Sequence, residues 1–208
     1  MALSRLYFIT GDEDPVRQIG EACAVGIRLI QLRMKAAPDG EFEAVAREAI
    51  KICRQWGSKL IINDRVAVAA SVDADGVHVG REDLPVREAK RLLGKDKIVG
   101  GTANTIEDIR EHCEGGADYI GLGPYGYTTT KKKLSPILGL EGYRQTMAAA
   151  RKEGISVPLF AIGGIGMADV GPLLRSGVYG IAFSGVLVRA ADKASLVRRL
   201  ESEIQKIN

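Results

Sequence analysis

Apolar residues along the chain fall into short runs rich in β-branched side chains, separated by longer stretches whose apolar positions recur every three or four residues. This is the alternation of strand and helix periods. Eight runs read as strands: Leu6–Thr10, Ile27–Arg33, Lys59–Asn63, Gly76–Val79, Ile98–Gly101, Tyr119–Leu122, Pro158–Ile162 and Gly180–Phe183. Helical spacing follows most of them, as in Phe42, Val45, Ala46, Ala49, Ile50 and Cys53, or in Leu173 and Leu174 before Gly177 as a stop. Eight βα units in 208 residues predict an α/β protein of the single-domain (β/α)8 TIM-barrel class over residues 1–208, near the short end of that fold's range, roughly 200 to 250 residues. An open doubly wound sheet is the structural rival. It is weakened because Thr10, Gly11 and Asp12 stand where a G-x-G-x-x-G turn would follow the first strand.

Composition narrows the function. Lys and Arg number 29 against 26 Asp and Glu, a formal charge of +3, which argues against a nucleic-acid partner. Glycine is abundant, at 25 of 208 residues, so many backbone positions turn tightly or approach something closely. Cys23, Cys53 and Cys113 form no CxxC pair and leave an odd count, against a disulfide framework or a zinc site; each reads as a small core residue. The N-terminal run Leu6–Ile9 is too short for a signal peptide and no run is long enough to span a bilayer, so a cytoplasmic protein without membrane contact is expected. A homo-oligomer is compatible with the sequence.

In a barrel, reacting groups gather at the C-terminal ends of the strands. Along the second strand Ile27, Leu29, Gln31, Arg33 and Lys35 share one face, apolar at its base and polar at its top, with Ile30, Leu32 and Met34 on the other. Two cations at the top of one inward face invite an anion between them. Asp64 and Asp83 follow the third and fourth strands and would suit a divalent ion bridging to phosphate oxygens; Asp64 as a helix N-cap and Asp83 as a turn residue remain equal alternatives on spacing alone. Gly163-Gly164 after the seventh strand and Phe183-Ser184 at the end of the eighth occupy the usual phosphate position of this fold. The long irregular stretch 123–138 carries Thr128, Thr130 and Lys131 and reads as a lid over a charged ligand; Thr102 adds a donor. Of the two histidines, His112 reads as a surface residue and His78 as packed or pocket-facing; no hydrolytic triad is suggested, and the scattered tyrosines form no stacking platform.

The segments Gln31-Leu-Arg33-Met-Lys35, Ile62-Asn63-Asp64-Arg65, Asp75-Gly-Val-His78-Val-Gly80-Arg-Glu-Asp83-Leu-Pro85, Gly123-Pro124 with Thr128, Thr130 and Lys131, and Ala161-Ile-Gly163-Gly164-Ile165 together resemble the thiamin phosphate synthase family, in order and over nearly the whole chain. That resemblance implies a (β/α)8 barrel coupling 4-amino-5-hydroxymethyl-2-methylpyrimidine diphosphate to 4-methyl-5-(2-hydroxyethyl)thiazole phosphate with release of diphosphate. It also implies Mg2+ on Asp64 and Asp83, with Arg33, Lys35, Asn63, Thr102 and Lys131 on the diphosphate and Gln31 on the pyrimidine. Thr128, Thr130, Gly164, Phe183 and Ser184 would hold the thiazole phosphate. Arg33, Thr102 and Lys131 would act in catalysis. The chain departs from the family pattern at Thr102 (commonly Ser), Asn104 (frequently His) and Gly126-Tyr127 (commonly Phe-Pro). Rival readings are a thiazole tautomerase, for which only His78 offers a base, a phosphate-ligand sensor, and a sugar-phosphate epimerase.

Overall fold

A computed structural model describes residues 3–128 and 135–207. Eight strands, β1 (Leu6–Ile9), β2 (Leu29–Leu32), β3 (Lys59–Asn63), β4 (Gly76–Val79), β5 (Ile98–Ala103), β6 (Tyr119–Leu122), β7 (Leu159–Ala161) and β8 (Gly180–Phe183), pair in parallel in that order. β8 closes back on β1, with Tyr7 opposite Ala182, so the sheet has no edge. The helices are α1 (Pro15–Ala24), α2 (Asp39–Gln55), α3 (Val66–Ser71), α4 (Val86–Leu93), α5 (Ile106–Glu114), α6 (Gly139–Lys152), α7 (Met167–Ser176), α8 (Gly185–Val188) and α9 (Lys193–Gln205). No described helix is long and apolar enough to cross a membrane.

Strand alternation sorts the core into two layers. Ile30 and Leu32 face the helices and join the large outer core with Phe42, Ala46 and Ala49 of α2. Tyr7, Leu29, Ile61, Tyr119, Phe160 and Ala182 point into the barrel and fill it. The aromatic rings there meet edge to face, Tyr7 on Tyr119 with centroids 5.5 Å apart and Tyr119 on Phe160 at 5.6 Å. Gly100 makes this filling possible: a Cβ there would overlap the Tyr119 ring.

The second strand is shorter than its hydrophobic run suggests. Gly26, at φ +99°, ends the turn after α1, and the Ile27 amide donates to Ala22 O, so Ile27 belongs to the outer core instead of the inward face. The fifth strand runs two residues further than expected, carrying Thr102 and Ala103 to the rim. Cys23 of α1 and Cys53 of α2, remote in sequence, are both buried in the outer core; all three cysteines are free.

Candidate active site at the C-terminal rim

A cavity of about 480 Å³ opens at the C-terminal ends of the strands. Gln31, Arg33, Lys35, Asn63, Asp64, Thr102, Thr128, Gly164, Phe183 and Ser184 all line it, in company with His78. Asp83 stands against Asp64. Thr130 and Lys131 lie outside the described residues.

The β2–β4 side is built from side chains locked by other side chains. Thr10 Oγ1 accepts from the Arg33 amide at 2.9 Å, fixing the strand end that carries the guanidinium. Arg33 is nearly buried, and that burial lowers its pKa from the ordinary arginine value, while Asp12 and Asp64 act to raise it. Arg65 stacks over Phe42 at 4.2 Å and donates to the carbonyls of Met34 (3.1 Å) and Ala37 (2.6 Å), bracing the loop that holds Lys35. Lys35 Nζ lies 3.0 Å from Asp64 Oδ2; half-exposed, the pair contributes little to stability and is free to open for a ligand.

Asp64 adopts φ +62°, a left-handed conformation that a non-glycine residue holds at some cost, and its amide donates to His78 O at 2.8 Å. It caps no helix through its side chain: Arg65 occupies the N-cap position of α3. Asp83 Oδ2 accepts from the Gly80 amide at 2.7 Å, and its carboxyl stands near that of Asp64. Burial first, and the Asp64 carboxyl second, push the Asp83 carboxyl above the usual aspartate range, against the opposing pull of the Gly80 amide and Lys35. Two abutting carboxyls beside a lysine are hard oxygen donors that suit a divalent ion. Among the described residues no group of three or more His, Cys, Asp and Glu gathers, so such an ion would complete its shell from water or a bound anion, as ions held by one or two carboxylates do.

The β7–β8 side is built from backbone. Gly163 and Gly164 have φ of +86° and +68°, and the start of the long loop crosses them: Tyr125 donates its amide to Ile162 O and Gly126 to Gly163 O. A Cβ on Gly164 would sit 2.6 Å from Tyr127 O, so only glycine fits under that crossing. Asn104 ties both ends of the loop, donating to Gly123 O (3.0 Å) and Pro136 O (2.9 Å), and Tyr125 Oη donates to Asp169 at 2.9 Å.

A family model described as thiamine monophosphate synthase matches residues 6–187. The chain belongs to this family. Among relatives, the thiamine-phosphate synthase of Flavobacterium johnsoniae is 43% identical over 192 residues, covering 92% of this chain and 91% of the relative. That of Bacteroides thetaiotaomicron is 44% identical over 198 residues, covering 94% and 95%. The solved thiamine phosphate pyrophosphorylase from Pyrococcus furiosus has a TM-score of 0.84 at 32% identity, covering 98% of this chain and 96% of that one.

Within this member of the thiamine monophosphate synthase family, four residues take places that their sequence context did not signal. His112, expected on the surface, packs its ring against Gly101 and bonds Thr102 O at 2.9 Å, because the helical turn of α5 aims it back at β5. Arg189 lines the cavity beside Ser184 and Gly185, with its guanidinium so close to Gly185 that a Cβ there would overlap it. Tyr7 and Tyr119, distant in the chain, meet inside the barrel at 2.7 Å. A strand position facing inward is the only sequence signal that finds the tyrosines; an arginine four residues after a glycine in a phosphate-side loop would have found Arg189.

Proposed function

We propose that this barrel carries out the coupling of the pyrimidine diphosphate with the thiazole phosphate and releases diphosphate, a step of thiamin biosynthesis. The observation that carries the reading is one cavity with two unlike anion-accepting ends. Arg33, Lys35, Asn63, Thr102 and the Asp64–Asp83 pair form one end; Gly164, Ser184, Thr128 and Arg189 form the other. That pairing suits one substrate with a diphosphate and one with a monophosphate.

The Asp64 and Asp83 carboxylates would hold Mg2+, which when bound supplies positive charge to the diphosphate oxygens. The chain's own work is positioning and charge stabilisation. The ring amino group pushes electron density, the carbon–oxygen bond breaks with its electron pair leaving on the diphosphate, and the thiazole nitrogen donates its lone pair to the methylene carbon. Arg33 and Lys35 meet the growing charge on the leaving group. By the family resemblance Lys131 would add a third cation toward the diphosphate and Thr130 a hydroxyl toward the thiazole phosphate. Closure of the 123–138 loop would keep water from the cation. Little proton transfer is asked of the protein, which fits the engagement of both His78 nitrogens, with Tyr119 and with Thr102. Three free thiols suit a reducing compartment, the cytoplasm.

Mixing both substrates with the chain, with and without a chelator, tests this. Thiamin phosphate and diphosphate are expected in equal amounts, suppressed by the chelator and restored by Mg2+. Binding of both substrates with no diphosphate released would leave a sensor, and full rate with chelator would remove the metal.

A further inference from the structure

Five side chains form an unbroken line of hydrogen bonds across the barrel. Gln31 Nε2 lies 2.6 Å from Tyr7 Oη, Tyr7 Oη 2.7 Å from Tyr119 Oη, Tyr119 Oη 3.0 Å from His78 Nδ1, and His78 Nε2 2.9 Å from Thr102 Oγ1. Gln31, His78 and Thr102 line the cavity; the two tyrosines do not, and neither is more than 1% exposed.

Counting hydrogens fixes the direction of the line. The Gln31 amide nitrogen only donates, so the Tyr7 oxygen accepts. Among the described residues the Tyr7 hydroxyl hydrogen then has one acceptor, Tyr119 Oη, and the Tyr119 hydrogen in turn goes to His78 Nδ1. An imidazole accepting at Nδ1 carries its hydrogen on Nε2 and donates it to Thr102 Oγ1. The Thr102 hydroxyl hydrogen is thereby left for a partner in the cavity. At the far end, Gln31 has its nitrogen turned inward and offers its Oε1 to the cavity. Every bond dipole runs the same way, from an acceptor at β2 to a donor at β5, and such aligned bonds reinforce one another.

We infer that Tyr7 and Tyr119 are positioning residues, which hold Gln31 Oε1 as an acceptor for the pyrimidine amino group and the Thr102 hydroxyl as a donor to the departing diphosphate. This rests on the reaction proposed above. As the carbon–oxygen bond breaks, the amino group becomes positive and the diphosphate oxygen takes the electron pair; the line presents an oxygen to the first and a hydrogen to the second, and no proton changes owner. Burial raises both phenols further above their already high ordinary values, so both keep the hydrogens that the line requires.

Nitrogen NMR of the full chain reads the line without substrate. The expected signal is neutral His78 with its hydrogen on Nε2; an Nδ1–H tautomer overturns the inference. Tyr119→Phe removes the donor to Nδ1, so the second tautomer should appear. The same variant should lower kcat about tenfold, the usual scale for a group acting through another, while KM for the thiazole phosphate stays within about twofold. In a Thr102→Val background, Tyr119→Phe should lower kcat by less than about a further twofold, because the donor it orients through His78 is gone, whereas a Thr102→Ser background, which keeps a hydroxyl, should retain the full response to Tyr119→Phe. Losses that multiply in the double variants, or a kcat unchanged in Tyr119→Phe, overturn the inference. A wild-type chain that makes no thiamin phosphate overturns the reaction itself, and the His78 signal tells the two failures apart. Should thermal melts show that a tyrosine variant does not fold, the wild-type tautomer still decides.

Discussion

The two sides of the cavity rim are made of different materials. On the β2–β4 side the ligand-facing groups are charged or amide side chains, and their backbone is braced by Thr10 and Arg65. On the β7–β8 side the groups are mostly glycine backbone, with Ser184 and an exposed Arg189 beside it, and the loop backbone crosses directly over Gly163 and Gly164. The first side works through charge, so it depends on residue identity at a few tips. The second works through closeness, so it depends on the lack of a side chain. Loss of function should therefore look different on the two sides: a chemical defect with an intact fold on one, a steric defect with altered binding on the other.

The largest effect is expected at the acid pair. Asp64→Ala or Asp83→Ala should cost about a hundredfold or more in kcat, the scale of losing one preorganised electrostatic contact, while the melting temperature falls little. A wild-type rate in either variant would remove the ion from the proposal. A gentler form sharpens it: Asp83→Asn removes one of two crowded carboxyls, so without Mg2+ the protein should melt slightly higher than wild type, and Mg2+ should no longer raise its melting temperature.

On the opposite side, Gly164→Ala forces a Cβ to within 2.6 Å of Tyr127 O at a φ of +68°. The cost should be about 1–3 kcal/mol of stability together with a KM for the thiazole phosphate raised on the order of tenfold, and a KM for the pyrimidine diphosphate that moves far less. Equal shifts in both KM values would mean that the two sides do not serve separate substrates.

The same contrast decides what could be read before any coordinates. The charged side is visible in sequence because period-two alternation sets Leu29, Gln31, Arg33 and Lys35 on one face, and residue type does the rest. The glycine side shows only as Gly163-Gly164, since a backbone amide carries no letter of its own, and the loop that demands those glycines comes from another strand end. Tyr7 and Tyr119 escaped because barrel closure brings β1 across to β6, and the gap left by Gly100 gives the Tyr119 ring its room. His112 escaped because an exposed-looking helical position is judged by its own helix, while its partner Thr102 O sits on the strand that precedes it. Ile27 was assigned to the strand because an apolar run does not show where a glycine at positive φ ends the preceding turn.

A smaller effect should come from Asn104, which serves both sides at once by tying Gly123 O and Pro136 O. Asn104→Ala frees two carbonyls at the base of the loop. The expected loss is about 1–3 kcal/mol in thermal unfolding, with a modest rise in both KM values, since Gly123, Pro124, Tyr127, Thr128 and Ser135 of the loop line the cavity. A rise confined to one substrate would place the loop on that side alone.

Arg189 gives the smallest effect and the finest cut. It is the one full positive charge among the described lining residues of the β7–β8 side, and its guanidinium lies over Gly185. Because the residue is exposed, water and salt screen it, and its contribution to binding a phosphate should be modest and salt-dependent. Arg189→Gln is therefore expected to raise KM for the thiazole phosphate several-fold at low salt, with the difference shrinking toward about twofold or less as ionic strength rises to 1 M, where the screening length is about 3 Å. kcat and the KM for the pyrimidine diphosphate should hold. A fall in kcat instead would mean that Arg189 reaches the leaving diphosphate, and the two sides of the rim would then share their charges across the cavity.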